Sequence, residues 1–429
     1  MAVRLRRGIG GRLLIGMADS AASSLGNLGV SVVAARLSSL REFGLFATAM
    51  LVLILGTMAM RSAHGEVLLL KGRTAGAEVG EADRRRSTSS VLRLSLVLGG
   101  TAAVAGLAVA IASGGPTDLA LTVLVSGLVF PVLCLQDHLR WVDYARDASS
   151  RALVNTVLWT VTSVALMLVL WWWSGGRVAG FLCVAAWGLG ALPSIVYAAR
   201  RGLLATRPRT DWLRANREPA RNVFLDFALT QATSQGATLV IAALTGAVEM
   251  GLIRKAQIWL GPAMVATLGL LAALQPMLTR LAATQGRAAT IRFASGAGIV
   301  LGGLLAVFGI GVLLLPDDVA ELLVGPGWAE ASPFVAPLTV SAVMGAVGGC
   351  LGLTLRTLGL IGRQVRWRAV LGSSSVVVVA AGTLLFGADT GLWILAASGA
   401  VTSLVWAALL ATPVREGREA TDAAAAPVA

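Results

Sequence analysis

The sequence predicts an all-α integral membrane protein of about twelve transmembrane helices, built as two six-helix bundles related by a parallel internal repeat. Three observations predict it. Apolar runs of membrane-spanning length recur from end to end, basic residues fall in every second loop, and the second half repeats the polar pattern of the first.

Of the 429 residues, 56% are hydrophobic and only 13% are charged, against roughly 25% charged in a soluble domain. The mean hydropathy is +0.79. Nearly uncharged runs of about 20 residues recur, the length that crosses a hydrocarbon core of about 30 Å. They place spans at 13–36, 43–62, 91–112, 119–137, 152–173, 178–199, 222–245, 252–275, 293–315, 333–354, 369–386 and 391–411. The runs are apolar throughout, which excludes the alternating strands of a membrane β-barrel. The first run follows a basic segment but is too long for the core of a secretory signal and has no small-residue cleavage site near its end. It reads as the first span.

The net charge of +13 does not point to nucleic acid, because the cations sit in short clusters between apolar runs. The N-terminal segment, the loops after spans 2, 4, 6, 8 and 10, and the C-terminal segment hold thirty of the thirty-five basic residues. That alternation places both termini in the cytoplasm. The exceptions are Arg36, Arg41, Arg177, Arg254 and Lys255.

A shift of 207 residues aligns 19–46 with 226–253 without a gap, and nine of the 28 positions are identical. Asp19, Ser23, Asn27 and Ser31 recur every four residues and share one face of span 1. Their counterparts on span 7 are Asp226, Thr230, Ser234 and Thr238. A polar stripe facing lipid is costly, so each is expected to face other helices or water. Six spans separate the copies, so the halves have the same orientation, with the substrate path expected between them. The chain then divides into a first lobe (1–199), a cytoplasmic linker (200–221), a second lobe (222–412) and a low-complexity cytoplasmic tail (413–429), expected to be disordered. Asp19 and Asp226 are candidates for gating or ion coupling, facing one central cavity from opposite lobes.

Arg254 and Lys255 begin span 8 and are the only adjacent basic pair off the cytoplasmic side. They are expected to project into the central cavity and hold an anionic head group, with Arg as the better phosphate ligand because its planar fork makes paired hydrogen bonds. Snorkelling at the interface is the alternative. Asn27 and Ser234 are candidate substrate contacts, and Arg36 and Arg41 candidate exit-gate residues. The loop PDDVAELLVGPGWAEASP has acids and no bases and reads as a short amphipathic element on the outer surface, with Trp328 as its interfacial anchor. His64 and His138 fall beside helix ends, where solvation is expected. Cys134, Cys183 and Cys350 lie inside apolar runs with no metal-like spacing. There is no phosphate-cradling loop, no HExxH and no Cys/His cluster. An enzyme is therefore not expected, and no cofactor is implied.

The segment MADSAASSLGNLGVSVVAARLSSLREFGLF resembles the opening of polysaccharide-biosynthesis flippases of the multidrug/oligosaccharidyl-lipid/polysaccharide exporter superfamily. The resemblance rests on a polar first helix, Ala35-Arg36-Leu37 at its end, and Glu42-Phe43-Gly44-Leu45-Phe46. MGLIRKAQIWLGP at span 8 and LLVGPGWAEASPFVAPL before span 10 extend it over nearly the whole membrane region. Ile253 stands where the family usually has tyrosine, which puts any stacking role there in doubt. The resemblance implies two six-helix bundles in a bacterial plasma membrane. It also implies alternating-access transfer of polyprenyl-pyrophosphate-linked oligosaccharide, with membrane lipids and glycan polymerases or glycosyltransferases as neighbours. A cation-coupled multidrug exporter of the same superfamily is the alternative, and a membrane glycosyltransferase or polymerase a third.

Cysteines placed at Gly114 and Gly387 are expected to react with an impermeant thiol reagent added to intact cells. One at Arg209 is expected to stay unlabelled, and its labelling would reverse the orientation.

Overall fold

The computed structural model describes residues 2–75, 80–204, 211–231 and 235–412. The tail 413–429, residues 205–210 of the linker and Ser234 lie outside the described residues. Among the described residues there are helices and no strand. The first lobe is α1 (Ala2–Leu37), α2 (Leu40–Ala75), α3 (Glu81–Ala112), α4 (Asp118–Ala145), α5 (Ser149–Trp173), and the pair α6 (Gly180–Leu189) and α7 (Leu192–Ala199). Two linker helices follow the pattern break: α8 (Asp211–Ala215), and α9 (Arg217–Gln231), which runs into span 7. The second lobe continues with α10 (Ala237–Thr245), α11 (Ala247–Leu313), α12 (Asp317–Val324), α13 (Trp328–Ala331), α14 (Val335–Thr357), α15 (Ile361–Phe386) and α16 (Ala388–Ala411).

Nine of these helices or helix pairs are long and apolar enough to cross a membrane. At 67 residues, α11 would be about 100 Å long at 1.5 Å per residue, far more than one crossing. Gly286 breaks its helical path at φ 76°, a conformation that side-chain-bearing residues rarely adopt. The two pieces are spans 8 and 9. With α1 and the interrupted α9–α10 as spans 1 and 7, the count is twelve.

Small residues let helices approach closely where hydrophobic collapse cannot drive association. Within the first lobe, α3 and α4 meet at Gly99 and Gly127, where an added Cβ would lie 2.4 Å from the backbone of the facing helix. The lobes meet in the same way. A Cβ on Gly44 of α2 would lie 1.5 Å from the Ala247 carbonyl oxygen, and one on Gly251 would lie 2.7 Å from that of Leu40. These two glycines are equivalent in the internal repeat, so the lobes touch at matching positions of α2 and α11. Both contacts lie at helix ends that the charge alternation assigns to the outside. There α12 also packs on α1, with Gly325 beside Ala35 and Arg36.

The element carrying α12 is anchored more deeply than an interfacial helix. Trp328 is 1% exposed and meets Trp259 edge to face at 6.2 Å. Its surroundings are protein because Gly325 and Gly327 turn the chain inward at φ 74° and 92°. The linker is docked as well: Trp212 is buried under Lys71, whose ammonium lies 5.1 Å from the ring centroid.

Gly44→Leu is expected to prevent closure of the outer ends while leaving membrane insertion intact. Overpacking costs about 1–3 kcal/mol, so a cysteine at the buried position Ala34, in a background without native cysteines, should label from outside about tenfold faster. Unchanged labelling would place the outer seal elsewhere.

Candidate functional site

The polar stripe of α1 enters the first lobe's interior. Asp19 is fully buried and accepts hydrogen bonds from Arg140 of α4 at 2.6 Å, from Tyr144, and from Thr156 of α5. Asp137 of α4 receives Arg61 of α2 through two hydrogen bonds, at 2.9 and 2.6 Å, and Arg140 at 3.2 Å. Two aspartates and two arginines therefore form one charge-neutral quartet across three helices. A second paired contact, Arg201 to Asp143 at 2.8 Å for both bonds, ties the end of span 6 to α4.

Against this quartet lies a cavity of about 230 Å³. Its wall on α1 is Ser23, Ser24 and Asn27, and its floor is formed by Arg61, Asp137 and Arg140. Trp159 and Trp187 also line it, and Trp159 Nε1 donates to the Trp187 backbone carbonyl oxygen.

Arg254 crosses from the second lobe to the first. Its guanidinium donates to Ser31 Oγ of α1 at 3.1 Å and to Gln257 Oε1 at 3.2 Å. Among the described residues, no carboxylate lies within ion-pair distance of it. Lys255, expected beside it, goes elsewhere: it is 3% exposed and donates to the Pro326 carbonyl oxygen in the outer loop. Adjacent helix positions point about 100° apart, which sends Arg254 to the lobe interface and Lys255 to the outer loop. Glu321 of α12 accepts from the Gly327 and Trp328 amides at 2.7 and 3.1 Å, so Lys255 and Glu321 hold opposite sides of one turn.

The two copies of the polar stripe have different surroundings. Asp226 is exposed, on the stretch of α9 that packs against α2, and Thr230 accepts from Arg368 of α15 at 2.8 Å. Asp19 instead sits inside an ion network, and its burial leaves it behind the cavity wall. Arg36 and Arg41 are both exposed, and Arg41 makes a 4.0 Å surface ion pair with Asp118. His64 and His138 are not solvated. They are buried edge to face with centroids 6.5 Å apart, and His64 bonds Ser90 and the Met60 carbonyl oxygen. The reason is that α2 and α4 continue as helices well past their apolar runs.

That continuation also hid Arg140, while Arg61, at the end of the apolar run 43–62, groups with the loop that follows it. Counted as cytoplasmic loop cations, they lie inside the bundle. The usable signal was the acids Asp137 and Asp143 in QDHLRWVDYAR, spaced to keep helical partners on one face.

With both lobes, their repeat-related contact and the interlobe arginine described, the architecture can be compared with solved structures. An inward-facing multidrug resistance MATE family transporter of the MOP superfamily matches over 95% of this chain and 96% of its own, at 14% identity and a TM-score of 0.66. The chain shares the fold of this transporter. The lipid II flippase MurJ in an inward closed conformation matches over 93% and 88%, at 9% identity and a TM-score of 0.69. An outward-facing MATE transporter matches over 92% and 93%, at 15% identity, with a TM-score of 0.57. The MOP-type fold seen here, with its outer ends packed together, is thus more similar to the inward-facing MATE structure than to the outward-facing one. No protein-family model and no curated protein matches the sequence.

Removing one partner of a buried ion pair costs about 3–5 kcal/mol, whereas replacing both by apolar groups is often neutral. Asp19→Ala is therefore expected to lower the unfolding temperature of the purified protein clearly. Asp19→Leu combined with Arg140→Met is expected to recover most of the loss, because Asp137 keeps Arg61. No recovery in the double variant would show that Asp19 is not held there by charge pairing.

Proposed function

We propose that the protein is a flippase that moves polyprenyl-pyrophosphate-linked oligosaccharide from the inner to the outer leaflet of the plasma membrane by alternating access. The observation that carries this reading is Arg254: a cation between the lobes whose hydrogen-bond partners, Ser31 and Gln257, are both neutral. A pyrophosphate cannot cross a low-dielectric core unaided, and a planar guanidinium without a carboxylate partner has its donors available for it. The fold supports a transporter, and one protein that shares it is a lipid II flippase. A carrier of cationic drugs would want an acid where Arg254 stands. Both termini lie in the cytoplasm in this reading, and the glycan leaves at the outer ends of α1, α2 and α11, past Arg36 and Arg41.

Hydrogen bonds to a charged group contribute about 1.5–3 kcal/mol each, so Arg254→Ala is expected to lower transfer of a fluorescent polyprenyl-pyrophosphate-linked saccharide in proteoliposomes about tenfold or more. Arg254→Lys should recover part of it. Lys255→Ala should have a milder effect, acting through the outer loop. Unimpaired transfer by Arg254→Ala would reject this role.

A further inference from the structure

The cavity in the first lobe has a composition of its own. Every charge on its floor is matched: Arg61 and Arg140 are held by Asp137 and Asp19 at 2.6–3.2 Å. An anion entering it meets the Asp137 carboxylate, and a cation meets two guanidinium groups. The opposite wall has unused hydrogen-bonding capacity. Among the described residues, the side chains of Ser23, Ser24 and Asn27 have no hydrogen-bond partner within the protein. Gln136 gives one amide hydrogen to Asn155 at 2.7 Å. Trp159 and Trp187 also line the cavity, packed against each other at 5.6 Å and almost wholly buried.

Matched charges beside free hydroxyl and amide groups suit a neutral ligand rich in hydroxyls. At about 230 Å³, the cavity is below the roughly 300–1,000 Å³ of pockets for drug-sized ligands. It holds several times the roughly 30 Å³ that one water occupies in the liquid. One six-membered ring with its substituents fits, and two do not.

The position relative to Arg254 fixes which ring. Arg254 touches Ser31, and Asn27 and Ser23 follow on the same face of α1, at steps of about 6 Å for each four residues. A group bonded directly to a phosphate held at Arg254 therefore lies beside Asn27.

We infer that this cavity is a subsite for the first sugar ring of the lipid-linked glycan, and that it selects a neutral sugar. The inference rests on the proposed function, since the ring is placed by a pyrophosphate at Arg254. It adds a specificity determinant separate from the head-group cation.

The test uses the full-length protein in nanodiscs and three probes: polyprenyl pyrophosphate, the same lipid with one neutral hexose, and the same lipid with one uronic acid. One well-placed hydrogen bond contributes about 1 kcal/mol, so wild type is expected to bind the hexose form about fivefold tighter than the bare lipid. The uronic acid form should gain nothing. Asn27→Leu, which fills the cavity, should bring the hexose-bearing lipid down to the affinity of the bare lipid in the same variant. Ser24→Ala should reduce the gain, and serves if Asn27→Leu does not accumulate. Arg254→Ala should weaken all three probes alike. Equal wild-type affinity for bare and hexose-bearing lipid, or a hexose gain unchanged in both cavity variants, would overturn the subsite and leave the flippase standing. Failure of wild type to bind any of the three would overturn the proposed function, and the subsite with it.

Discussion

A charge taken out of water must be matched by another charge or by several hydrogen bonds, or the group cannot remain charged. That constraint organises the first lobe. Asp19, Arg140, Asp137 and Arg61 come from α1, α4 and α2 and neutralise one another at 2.6–3.2 Å. Arg61–Asp137 couples α2 to α4 and Arg140–Asp19 couples α4 to α1, so the quartet sets the relative position of the three elements that line the cavity. Tyr144 and Thr156 complete the shell around Asp19 and bring in α5. A packed set of apolar side chains could hold the same helices together. It would not leave a polar floor beneath the cavity.

Against this background Arg254, which comes from the second lobe, differs from the first lobe's interior cations. Its contacts, Ser31 and Gln257, stabilise the guanidinium by hydrogen bonding without cancelling its charge. The contact with Ser31 also crosses from one lobe to the other. In the proposed function, an anion drawn to Arg254 would sit between the lobes, where its binding would bias the balance between two arrangements. The outer ends supply the other half of that balance. Gly44 and Gly251 allow backbone-to-side-chain-free contact between α2 and α11. The turn at Gly325–Gly327, held by Lys255 and Glu321, lays α12 against α1.

Much of the architecture was legible in the sequence because the membrane imposes it. Span length follows from bilayer thickness, and the two-lobe arrangement from the repeat that pairs Asp19 with Asp226 and Gly44 with Gly251. The interlobe position of Arg254 was also within reach, since a cation at the start of an otherwise apolar span is conspicuous. Partner identity was less accessible. Arg140 counted as a loop cation because hydropathy marks where a helix stops being apolar, not where it stops being helical, and Arg61 because it stands at the very end of its apolar run.

The sequence by itself determined the number and pairing of the crossings, because these depend on one-dimensional quantities: apolar length and repeat spacing. Only the tertiary structure decided which charges neutralise each other. That choice depends on which helices meet and at what height, and the same polar stripe is buried in an ion network at Asp19 and exposed at Asp226. It likewise separated Arg254 from Lys255, neighbours in the chain, because a helix turns about 100° per residue and places one between the lobes and the other under the outer loop.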